Sequence, residues 1–315
     1  MLPGLDTDPL EYLIDCVFRE LPEGAELKYI DAQKIFYLTQ RRLDPDNRVA
    51  ESLPFYWYQH GPMSTAVSHT LQSAKAGGVV DGRTTETGGQ VFTPGGEDPP
   101  GIAEDEDLAA AEAAIREVLE QYDVFGNLDE RLREDIYVDA PYDFQLYYKF
   151  EVLPAVEAFA RDPYYLAEPP EEIQFRLARA EGKTPTDAAF DEWRKRFSWF
   201  VTLAETYLAA VDESEKRMSE TFGRLATDVW ELFAKRLRIE EHDEAYADKE
   251  AAWELEYENS QQSVDDSLQR FEATLDEQFG PYDTDDETNE NSIRVAEDSA
   301  WGRVNRSLLE GESDE

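Results

Sequence analysis

Apolar residues return every third or fourth position over residues 8–21, the spacing of one buried helix face. In DPLEYLIDCVFREL that stripe is Leu10, Leu13, Ile14, Val17, Phe18 and Leu21. Asp followed by Pro suits its N-terminus. IDAQKIFYLTQRRL (30–43) predicts a second helix with Ile35, Leu38 and Leu43 inward. RVAESLPFYWYQ reads as a short helix or turn and then a strand. STAVSHTLQSAKAGG (64–78) predicts a third helix with Val67, Leu71 and Ala74 inward. GVVDGR and GQVFTP predict a β-hairpin across a polar loop. Helices followed by a two-stranded wing is the order of a winged helix-turn-helix.

Past residue 104 the pattern is helical. EDEDLAAAEAAIREVLEQY has an acidic first turn, which favours a helix N-terminus. NLDERLREDIYVDAPYDFQLYYKFEVL predicts two helices broken at Ala140-Pro141, and ARDPYYLAEPPEE a Pro-rich connector. From Thr184 to Phe279 helical periodicity runs almost unbroken. Trp253, Tyr257, Gln261, Val264, Leu268, Phe271 and Leu275 keep a seven-residue repeat. The fold class expected is mainly α: an N-terminal winged helix with a small hairpin wing, then a long helical hairpin or bundle. The expected domains are 5–95 (winged helix), 96–165 (helices packing behind the wing), 184–279 (amphipathic hairpin or coiled coil) and 280–315 (acidic, largely disordered tail). Within that tail, SIRVAEDSAWGRVNRSLL (292–309) is patterned for a short docking helix. TPGGEDPPG (93–101) reads as the linker that ends the first domain.

Charge changes what such a fold is expected to bind. Asp and Glu number 71 against 30 Lys and Arg, a net charge of -41. Residues 1–95 carry 13 acidic and 8 basic residues, net -5, and the rest of the chain carries -36. The composition resembles that of proteins from salt-in halophiles, haloarchaea above all, in which carboxylates keep a surface hydrated. In molar salt the screening length is about 3 Å, so charge neither repels nor attracts DNA strongly. Counterion release then adds little affinity. The single cysteine, Cys16, excludes an internal disulfide and reads as a small core residue. No apolar run reaches a membrane-spanning length, and the expectation is a cytoplasmic protein.

The stretch AQKIFYLTQ…FYWYQHGPMSTAVSHTLQSAKAGGVV resembles the Panacea antitoxin domain and its winged-helix relatives. The resemblance rests on Lys34, Phe36, Tyr37, Tyr56, Tyr58, Gly61, Pro62, Ser64, Leu71, Gly77 and Val79, and covers under a third of the chain. It implies no enzymatic activity. It implies direct contact with a protein such as a toxin, or a place in a defence or mobile-element system.

At the Gly61-Pro62 corner, Gly accepts positive φ, Pro sets the next turn and Ser64 caps the third helix through its hydroxyl. The same corner presents Gln59 and His60 to a partner. Thr65, Ser68, His69, Gln72 and Lys75 are expected on the outward face of the third helix, with Arg83 on the wing. Hydroxyl and amide side chains suit base edges, but one Lys and one Arg are few for a phosphate backbone. His60 and His69 match no zinc spacing, and His242 reads as part of a solvated face. No phosphate loop, nucleophile elbow or metalloprotease motif occurs. We therefore expect no catalysis, metal, cofactor or small-molecule substrate. The expected partner is another protein or a second copy of the chain. The alternative is a DNA-binding regulator dimerised through its C-terminal helices.

Overall fold

Among the described residues helix follows helix, with short strands confined to the first hundred positions. The computed structural model describes residues 8–22, 24–86, 88–99, 105–122, 135–161, 169–210 and 216–279. Packing divides the chain into two units. The first is Met1–Ala140 with Leu237–Trp253, and the second is Pro141–Arg236 with Glu254–Glu315.

The first unit begins with helix α1 (Asp8–Glu20), strand β1 (Leu27–Lys28), α2 (Tyr29–Gln40) and the single turn α3 (Arg48–Glu51). Then come β2 (Tyr56–Tyr58), β3 (Gly61–Met63), α4 (Thr65–Ala76), β4 (Val80–Thr84), β5 (Gln90–Pro94) and α5 (Glu106–Gln121). The apolar stripe of α1 is buried throughout, as are Ile35, Leu38, Val67, Leu71 and Ala74. Leu43, expected inward, lies past the end of α2 and is only half-buried. β5 is the middle strand of an antiparallel sheet ordered β1-β5-β4. Leu27 stands opposite Phe92 and Val80 opposite Pro94. β2 and β3 form a separate two-stranded hairpin.

The glycine run after β5 lies inside the first unit. The Gly95 amide donates to Val79 O at 2.8 Å and the Glu97 amide to Gly78 O at 3.1 Å. A Cβ on Gly95 would fall 2.0 Å from Gly78 O, so two backbone segments cross there with no room for a side chain. The chain then enters α5, whose N-cap Asp105 accepts from the Leu108 amide at 3.0 Å. α5 packs on α1 and α2. The unit boundary falls at Ala140-Pro141, where the helical pattern broke, instead of at the glycines.

The second unit holds α6 (Asp143–Tyr147), a π-helical turn (Tyr148–Val152), α7 (Leu153–Arg161) and α8 (Pro170–Glu181). α8 starts inside the stretch expected to be a connector, with Pro in its first turn. α9 (Asp191–Ala210), α10 (Lys216–Glu240) and α11 (Glu250–Phe279) follow. The unit's core is built of rings: Trp193 lies 4.8 Å from Phe144, 4.9 Å from Phe233 and 5.1 Å from Phe197 between centroids. The two polar edges in this cluster are satisfied, with Trp193 Nε1 donating to Val229 O at 3.1 Å and Tyr148 Oη to Ala226 O at 2.9 Å. α7 and α10 approach closely enough that a Cβ on Gly223 would meet Ala160 Cβ at 2.6 Å. Every member of the seven-residue repeat is buried except Gln261.

The stretch 184–279, patterned for two or three long helices, holds α9, α10 and α11; between the last two the chain leaves the helix after Glu240 and re-enters it at Glu250 through a 3-10 segment, Glu244–Lys249. Asp243 caps that segment by accepting from the Ala245 amide at 2.9 Å. The local cap and the burial of Tyr246 outweigh helix continuity. Parts of the expected helix at 127–134, the tail 280–315 and the 292–309 docking segment lie outside the described residues. Among the described residues no helix is long and apolar enough to cross a membrane.

Candidate partner-binding surface

The corner of the first unit follows from a two-residue loop. Tyr58 pairs with Gly61 across the β2–β3 hairpin, which leaves Gln59 and His60 as the turn. Gly61 sits at φ +97, a conformation that L side chains rarely adopt. Pro62 follows opposite Trp57, and β3 leads straight into α4.

Ser64 occupies the N-cap position of α4, but its hydroxyl makes no capping bond. That hydroxyl is buried and has no hydrogen-bond partner among the described residues. Two residues that the sequence pattern did not single out hold the helix start instead. Gln33, wholly buried on α2, accepts from the Ser64 amide at 2.7 Å and donates to Ser64 O at 3.1 Å. Tyr246, 181 residues further along the chain, accepts from the Thr65 amide at 2.9 Å and donates to Pro54 O at 2.9 Å. A buried amide clamp carries no periodic signal, and a cap from so distant a residue carries no local one.

The segment bearing Tyr246 also extends the hairpin. The Trp57 amide donates to Glu241 O at 3.0 Å and the Asp243 amide to Phe55 O at 3.0 Å, with Tyr56 bridged to His242. His242 is therefore half-buried, its ring edge-on to Trp253 at 5.6 Å, and is not part of a solvated face. The Arg238 guanidinium lies between the rings of Tyr58 and Trp253, at 4.9 and 4.7 Å from their centroids. Such a position offsets part of the cost of burying a cation. Burial raises the Tyr56 phenol pKa well above its ordinary value, so that phenol stays neutral.

The expected site residues separate into two groups. Ser68 is turned to internal use: its hydroxyl donates to Ser64 O at 2.9 Å and meets Gln33 Nε2 and Tyr29 Oη. Thr65 is half-buried against Tyr246, with Lys249 Nζ 3.5 Å from its hydroxyl. His69, Gln72 and Lys75 are exposed along α4, and His60 is exposed at the hairpin turn beside half-buried Gln59. Gln72 donates to Gln90 Oε1 of β5 at 3.3 Å. The Lys75 stem closes over Gly82 of β4. Arg83 is exposed on β4, where Glu26 takes both its bonds at 2.8 and 2.7 Å.

All five arginines of residues 1–95 have such intramolecular acceptors. Arg19 pairs with Asp15 at 2.8 Å, Arg41 with Asp139 at 3.2 Å, and Arg48 with Asp105 and Asp107. Arg42 donates to Leu38 O and Gln121. On the outward face of α4 that leaves Lys75 as the cation. The Cys16 thiol is buried, and burial pushes its pKa up to about 12, which makes it a poor nucleophile. Among the described residues no group of three or more His, Cys, Asp or Glu side chains stands close enough to hold a metal ion. Comparison with known proteins returned no match, whether by family model, by curated protein or by solved structure.

Proposed function

We propose that the first unit is a winged-helix recognition module of the Panacea antitoxin kind that grips a protein partner without catalysis. In this reading α4 is the presenting helix and the β4–β5 pair is the wing. His60, His69, Gln72 and Lys75 form the polar contacts, and the β2–β3 corner sets their angle. A halophile setting, with a place in a defence, toxin-neutralising or mobile-element system, fits the acidic composition. The mechanism is steric: a rigid, shape-matched surface that needs no long-range attraction in concentrated salt.

The observation that carries the reading is the disposition of the arginines. A DNA module fixes its register through several Arg and Lys on phosphates, whereas here all five arginines of residues 1–95 meet acceptors within the chain. Mobility shift on the gene's own upstream DNA in molar KCl, beside capture from the same extract, tests it. The expected result is no specific DNA retention, and a stoichiometric protein partner lost in the His69→Ala/Gln72→Ala double variant. Sequence-specific retention of DNA abolished by Gln72→Ala and Lys75→Ala overturns it in favour of a DNA-reading regulator.

A further inference from the structure

Residues 237–253 complete the first unit from a great distance in sequence. They touch it at three kinds of anchor. Backbone bonds from Trp57 and to Phe55 add residues 241–243 to the edge of β2. The Tyr246 hydroxyl joins the first amide of α4 to Pro54 O. The Arg238 guanidinium is held between Tyr58 and Trp253. Both ends of the segment are helical and continue into the second unit: α10 up to Arg236, and α11 from Glu254.

A helix start needs its free amides satisfied. Ser64, which occupies the position where a hydroxyl commonly does this, leaves its hydroxyl unused. The task passes to Tyr246, and with it control over the first turn of α4 passes to a segment that the second unit's helices deliver. Within the second unit, Arg236 and Glu254 are paired at 3.0 Å at the points where α10 and α11 leave it.

We propose that residues 237–253 are a latch: they lock the first turn of α4 and make its order depend on the pairing of α10 with α11. The inference rests on reading α4 as the presenting helix only for its biological meaning. The physical coupling stands or falls by itself.

Native-state hydrogen exchange on the full chain tests it. Tyr246→Phe removes the hydroxyl and keeps the ring, which meets Tyr56 edge-on at 5.2 Å and Trp253 at a tilt at 5.7 Å. The amides of Thr65–Ser68 should then exchange about tenfold faster, the size of a lost helix cap, with those of α9 unchanged. Rates unchanged at Thr65–Ser68, or an equal acceleration across the whole first unit, overturn the latch. Glu254→Gln, which weakens the Arg236 pair without touching the first unit, should speed the same amides about threefold. No change there overturns the coupling. Neither readout needs a partner or DNA, so a failed search for a protein partner leaves this result intact, and the reverse also holds.

Discussion

The two units bury different chemistry. The second is filled with aromatic rings that touch one another, Phe144, Trp193, Phe197 and Phe233 at its centre. The first buries aliphatic stripes and a smaller ring cluster around Trp57 and Tyr246, together with polar groups of fixed direction, Gln33, Thr39, Asn47, Ser64 and Thr70, where the described residues of the second bury Gln145 and Ser219. Ring stacking tolerates small rotations and is strong through area. Hydrogen bonds in a dry interior tolerate little displacement and are costly to leave half-made. The first unit is thus the one richer in buried directional hydrogen bonds, and the second the one whose core is richer in ring contacts.

The contrast breaks most visibly at Trp193. Trp193→Ala should cost the second unit about 4 kcal/mol, from lost burial and the remaining cavity, read as a lower urea midpoint for exchange in α9. The first unit's core amides should hold. Gln33→Ala sharpens the other side: the Ser64 amide and carbonyl lose their buried partner, at about 2 kcal/mol. That loss should appear in α2 and α4 and leave α9 untouched; a loss spread over both units would erase the distinction.

Gly61→Ala should cost about 1 kcal/mol. Its Cβ would meet Tyr137 Oη at an ordinary 3.6 Å, so the cost is the positive φ and not a clash. Thermal melts of Gly61→Ala beside Gly88→Ala, which shares a positive φ with nothing near it, would show whether backbone strain alone accounts for the loss.

The smallest effect concerns Asp228. Burial raises its pKa, Glu231 adds to the rise, and Arg224, Arg270 and Lys235 oppose it. A folded pKa above the unfolded value means the native state takes up the proton. The contribution is fully present below about pH 3.9 and is lost as pH rises through the folded value. Asp228→Asn should therefore stabilise the second unit at pH 7, by about 0.5 kcal/mol once solvent screening is allowed for. The gain should shrink toward pH 4, as urea titrations at the two pH values would record.

These outcomes fall along the line between what sequence pattern could and could not supply. The apolar stripes of α1 and α4 and the ring-bearing faces of α9 to α11 were legible because burial repeats with the helix period. The strands Val80–Thr84 and Gln90–Pro94 were legible from β-rich runs flanked by glycine. Gln33, Arg238 and Tyr246 were not. Each is a polar or amphipathic residue whose partner is distant in sequence, and no periodicity marks such pairs. Ser68 and His242 were misplaced for the same reason: their local spacing pointed outward while a partner elsewhere drew them in. Lys75 and Gln72 are exposed on α4, although each also reaches the neighbouring β4–β5 pair, at Gly82 and Gln90.

The crossing at Gly78 and Gly95 bears on how this chain can be divided. A glycine-rich run between a hairpin and a helix invites use as a splice point for tags, fusions or half-length fragments. Here a break or an added residue would unpick a stitched junction, since Val79 O and Gly78 O are both taken by the run itself. A fragment ending at residue 95 would also abandon α5, which covers α1 and α2. Protein engineering on this chain should treat its glycines as a rivet.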